Sequence, residues 1–64
     1  MSNRVKVVQV EKEKTGPWLS EKMERNIGTL SRWMTNKVQP SMEQLYEIAH
    51  HLDVEVKDLL VSSK

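Results

Sequence analysis

The residues of this chain best equipped for chemistry donate hydrogen bonds and positive charge; none is an activated nucleophile. Asn26, Ser31, Arg32, Asn36 and Lys37 fall close together in the middle of the sequence. Arg presents a planar fork that grips an acceptor pair through two hydrogen bonds, and Lys offers a compact charge. Such a set suits recognition of an anionic, acceptor-rich partner better than bond making. Enzyme chemistry finds little here. There is no Cys nucleophile, no Gly-rich phosphate loop and no His/carboxylate arrangement beyond chance spacing, and 64 residues leave little room for a closed pocket. His50 and His51 are adjacent, so on a helix they project in different directions and make a poor pair for one metal ion. One is expected to pack partly near Leu52 and the other to be solvated. Neither a metal nor a cofactor is expected.

Charge distribution points the same way. Ten Lys/Arg against nine Asp/Glu give a net charge of only +1. Residues 1–37, however, carry eight basic side chains against four Glu, a net +4, while residues 38–64 carry two Lys against five acids, a net −3. A basic first half and an acidic second half suggest one side turned to a polyanion and another turned elsewhere. A chain of 64 residues buries too little surface to be very stable alone, and with no Cys it has neither disulfides nor thiolate metal sites for support. A homodimer is the remaining expected support. The lack of Cys suits a reducing cytosol, and no apolar run approaches the roughly 18 residues of a membrane span. A soluble, cytoplasmic protein with no membrane partner is therefore expected.

These side chains must be positioned by short helices. In residues 4–14 the valines Val5, Val7, Val8 and Val10 suit a strand by propensity, but the spacing of Val5 and Val8 and the Glu-Lys-Glu-Lys run after them favour a first helix. Thr15 before Gly16-Pro17 reads as the cap of a second helix, running to about Met23 with Leu19 and Met23 inward and small Ser20 beside them. Asn26 caps a third, in which Ile27, Leu30, Trp33 and Met34 repeat at helical spacing, ending near Thr35; Trp33 is assigned to packing. Asn36 and the following residues to Pro40 form a loop. Ser41-Met-Glu-Gln44 has the form of a capping box, and Met42, Leu45, Ile48, Ala49 and Leu52 make the stripe of a fourth helix. A last short helix is expected over about 55–61. The predicted fold is all-α: a five-helix orthogonal bundle with a central helix-turn-helix over 15–35, in one domain spanning 1–64 with an ordered core of about 4–61.

Thr15-Gly-Pro-Trp-Leu-Ser-Glu-Lys-Met, Asn26-Ile-Gly-Thr-Leu-Ser-Arg-Trp, Pro40-Ser-Met-Glu-Gln-Leu and the ending Leu52-Asp-Val with Asp58-Leu-Leu together resemble the Cro/phage-repressor (Xre) helix-turn-helix family over residues 4–60. The likeness is to its short single-domain members found in Bacteroidetes, some of which sit beside toxin or restriction-modification genes. The resemblance implies a lambda-repressor-like DNA-binding domain acting as a small transcriptional regulator on double-stranded DNA. In that arrangement a recognition helix of about 27–35 enters the major groove, with Asn26, Ile27, Gly28, Ser31 and Arg32 facing it. Thr15 and Gly16 at the start of the second helix, and Asn36 and Lys37 after the third, match phosphate contacts. Trp18 is expected beside the DNA backbone with its indole N–H toward a phosphate. Arg32 suits guanine, Asn26 adenine or phosphate, and Ile27 a thymine methyl. Gly16 stands where the family often has Gln, Glu24 where the turn usually has Gly, and Ile27 and Gly28 where relatives often place amides. The apolar end of the chain, Val54, Val56, Leu60 and Val61, is the expected dimer interface. The alternative reading is an antitoxin or restriction-modification controller component acting mainly through a protein partner such as a toxin.

Overall fold

Side-chain caps set where the helices of this chain begin. In the computed structural model, which describes residues 3–60, helix α2 (Gly16–Met23) starts where Thr15 Oγ1 accepts the Trp18 N–H at 3.1 Å. Helix α3 (Ile27–Met34) starts at Asn26, whose Oδ1 accepts the Gly28 N–H at 2.6 Å. Helix α4 (Met42–Leu52) opens on the complete capping box: Gln44 N–H donates to Ser41 Oγ and Ser41 N–H to Gln44 Oε1. Each cap satisfies an amide that the helix itself leaves without a partner.

Helix α1 (Val5–Glu11) settles the ambiguous valines. Val5 and Val8 are buried on one face while Val7 and Val10 are 48% and 61% exposed, which is helical alternation and not the two-residue alternation of a strand. The helix stops short of the predicted Lys14. Its cap comes from outside the predicted core: Asn3, expected to lie beyond the ordered part, is buried and its Oδ1 accepts the Val5 N–H at 3.0 Å.

All four helices end alike, by chain reversal through a left-handed residue that is not glycine: Glu13, Glu24, Asn36 and Asp53, with φ of 59°, 55°, 64° and 59°. In each, the next amide reaches back to the carbonyl five residues earlier, as Arg25 does to Ser20 at 3.0 Å and Lys37 to Arg32 at 2.9 Å. Asn and Asp tolerate this conformation, whereas Glu carries the full steric cost of its Cβ. Glu24→Gly is therefore expected to stabilise the fold by about 0.5–1 kcal/mol, the relief of left-handed strain exceeding glycine's entropic cost. A thermal melt should show Tm raised by a few degrees, and a lowered Tm would mean the Glu24 side chain makes a compensating contact.

The core draws on every element. Val5, Leu19, Leu30, Ile48, Leu52 and Leu59 are fully buried, with Trp33 3% exposed as its assignment to packing required. Helix α2 packs on α3 and α4, and α1 lies against α3, α4 and the chain's last turn. Met42 departs from its predicted place in the α4 stripe. It is the first residue of that helix and is 52% exposed, so the buried stripe begins one turn later at Leu45.

The predicted fifth α-helix is replaced by one turn of 3-10 helix, Val56–Leu59. Asp58 Oδ2 accepts the Glu55 N–H at 3.1 Å and closes that turn. Leu60 then turns extended and pairs with Asn3 in an isolated antiparallel bridge, with Arg4 N–H donating to Leu59 O at 2.8 Å. This capture of the backbone ends the helix before it can lengthen. Val61 lies outside the described residues. The described fold is thus four α-helices and a closing 3-10 turn, and no helix among these residues is long and apolar enough to cross a membrane.

Candidate nucleic-acid interface

Residues 24–26 connect α2 to α3, and this tight connection is held by two interactions beyond the helices. Ser20 Oγ donates to Arg25 O, and Asn26 caps α3. With Leu30 and Trp33 buried, the opposite face of α3 is left open: Ile27 (47% exposed), Gly28, Ser31 and Arg32 are all exposed. The structure thus brings together the side chains that the sequence placed on one reading face. Arg32 has no carboxylate within 4.0 Å among the described residues, where Lys57 and Glu55 form the one such pair, at 3.6 Å. Its own carbonyl is held by Lys37 N–H, fixing the point from which the guanidinium reaches out.

Two candidate residues are more constrained than their types suggest. Asn26 uses one lone pair of Oδ1 for its cap, which fixes the direction of its side chain and leaves the second lone pair and the Nδ2 donors. Gly28 is tied to the same cap: a Cβ there would lie 2.8 Å from Asn26 Oδ1. Gly28 is therefore a residue that keeps the cap tight.

At the start of α2, Pro17 has no N–H, Trp18 N–H goes to Thr15, and Leu19 N–H goes to Thr15 O. Gly16 alone in this first turn keeps an uncommitted amide among the described residues. A Cβ on Gly16 would meet Ile27 Cδ1 at 3.6 Å and Met34 Cε at 3.8 Å, ordinary packing distances that place this helix end directly against α3. On the far side of α3, Asn36 turns the chain and its Oδ1 accepts from Asn3 N–H (2.8 Å) and Gln39 Nε2 (3.2 Å), leaving Lys37 exposed beside it.

Trp18 is half-buried, with Lys14 Nζ 4.9 Å and Lys22 Nζ 5.8 Å from its ring centre. Both lysines were missed as site candidates, although their spacing of four from Trp18 on either side is visible in the sequence. Lys6 was also missed; from α1 it lines a cleft with Gly16, Ile27 and Ser31, and no local pattern links it to α3. The apolar end is partly absorbed by the fold: Val54 and Val56 pack half-buried on the core and Leu60 is 38% exposed. His50 is exposed and His51 half-buried, their rings edge to face at 5.3 Å. Among the described residues no group of three or more His, Cys, Asp or Glu gathers at one point to hold a metal ion.

Fold and face together define a small all-helical domain that presents one short exposed helix, framed by a free helix-end amide and a lysine-bearing loop. The chain belongs to the same family as a Bacteroides fragilis protein of known crystal structure, described as a "putative DNA-binding protein". The two are 45% identical, with a TM-score of 0.89, and the match covers 91% of this chain and 94% of that one. No family model and no curated protein matches the chain.

Proposed function

We propose that this protein binds double-stranded DNA as a small transcriptional regulator of the Cro/phage-repressor (Xre) type, with α3 as its recognition helix in the major groove. The observation that carries the reading is the 45% identity, over nearly the full length of both chains, to a protein described as DNA-binding. The exposed face of α3 supports it. Ile27, Gly28, Ser31 and Arg32 meet the bases; the Gly16 amide, Asn26, Asn36 and Lys37 meet backbone phosphates on either side, with Thr15 and Trp18 at the α2 edge. Helix-end amides and lysines suit phosphate because both present positive charge to it.

The base-reading set is thin, with Arg32 its one two-bond donor, so we propose that a homodimer adds specificity by engaging two half-sites about one helical turn apart. Half-buried Val54 and Val56 and exposed Leu60 are its candidate contacts. Fluorescence anisotropy with a labelled duplex tests the reading. Affinity should fall roughly a hundred-fold or more between about 50 and 200 mM salt, as counterion release at several phosphates requires. Two chains should bind per specific site. No binding, or binding indifferent to salt, would overturn it.

A further inference from the structure

The face just described continues onto α1. A cleft of about 260 Å³ separates α1 from the start of α2 and from α3, and its walls bring Lys6 and Gln9 together with Gly16, Ile27 and Ser31. Lys6 also borders a neighbouring hollow of about 510 Å³, shared with Asn36 and Glu11. Lys6 therefore borders both the start of α2, with its free amide, and the loop after α3. Lys6 is exposed and has no carboxylate within 4.0 Å among the described residues.

Gln9 gives the cleft a second feature. It is 8% exposed, its Nε2 donates to Lys14 O at 2.8 Å, and its Oε1 has no hydrogen-bond partner in the protein. With Oε1 closed to solvent and Nε2 tied to Lys14 O, Gln9 forms part of the cleft wall and leaves the ligand contact to Lys6.

We propose that Lys6 and this cleft form a phosphodiester subsite of the duplex interface, an inference that rests on the DNA-binding reading above. Lys6 Nζ supplies the charge. The subsite adds α1 to an interface that the sequence confines to residues 15–37.

Duplex binding measured across salt concentration, for the wild type and three variants, tests the subsite. Lys6→Ala should reduce the slope of log affinity against log salt by about 0.9, the release of one phosphate's counterions, and weaken binding several-fold near 100 mM salt. Lys6→Arg should keep the slope. Lys12→Ala removes the same charge from the far end of α1, outside both hollows, and should bind within about twofold of wild type. Thermal melts of Lys6→Ala should match wild type because the side chain is exposed. Wild-type binding by Lys6→Ala, an equal loss in Lys12→Ala, or a loss that tracks a lowered Tm would each overturn the subsite and leave DNA binding intact. A wild-type protein that fails to bind duplex would overturn both.

Discussion

Asn3→Ala is expected to lower the melting temperature by about 10–20 °C, the largest stability loss anticipated for any polar substitution in this chain. Asn3 joins three parts of the fold far apart in sequence. Its Oδ1 accepts the Val5 N–H that opens α1, and its Nδ2 donates to Trp33 O and to Gln39 Oε1, both at 3.0 Å. Alanine removes all three bonds and leaves the Val5 amide, in a residue 0% exposed, with nothing to donate to. A buried group so orphaned costs about 1–3 kcal/mol, and the further bonds bring the loss to about 2–4 kcal/mol. A domain of this length has only about 3–10 kcal/mol of stability to lose. The backbone N–H of residue 3 still donates to Asn36 Oδ1, so the loop should loosen rather than detach. Circular dichroism melts measure the effect, and a Tm within about 2 °C of wild type would show that water replaces the hub.

Asn3 also marks the limit of what could be read from the sequence. Helices α2, α3 and α4 were legible because their signals are local: Thr15 and Asn26 cap amides two or three residues on, Ser41 and Gln44 cap one another, and Leu19 with Met23, Leu30 with Trp33, and Leu45 with Ile48 and Leu52 repeat at helical spacing. Glu24 was placed at the turn by the family resemblance, where Gly is usual, and its left-handed φ agrees with that place. The misses depend on partners remote in the chain. Asn3 reaches across some thirty residues to Trp33, and Leu60 becomes extended because Asn3 pairs with it. The apolar spacing of Val56, Leu59 and Leu60 suited a helix, and long-range capture of the backbone overrode it. At the candidate interface, the side chains sharing the open face of α3 are ones that the family resemblance implied, and periodicity supplied only the buried face opposite them. The commitment of Asn26 Oδ1 to its cap, and the approach of Lys6 from α1, are matters of three-dimensional geometry that no spacing rule contains.

Arg32 carries the largest expected effect on binding. Its neighbours on the exposed face of α3 contribute little to base discrimination by hydrogen bonding: Ile27 is apolar, Gly28 has no side chain, and Ser31 pairs with any base. If Arg32 grips guanine through two hydrogen bonds, Arg32→Ala should weaken binding to a selected duplex about ten- to a hundred-fold, corresponding to about 1–3 kcal/mol. Arg32→Lys separates the two roles an arginine can play. Lysine keeps the charge and loses the planar fork. A base contact predicts that Arg32→Lys retains nearly all affinity for random duplex while losing preference for the selected sequence. A phosphate contact predicts the opposite: preference intact, and a salt slope lowered by about 0.9 in Arg32→Ala alone. Because the Arg32 carbonyl is fixed by Lys37 N–H and its side chain has no carboxylate partner among the described residues, neither substitution should disturb the fold. Equal affinity and equal preference in all three proteins would remove Arg32 from the interface, and with it the only two-bond reader that α3 presents.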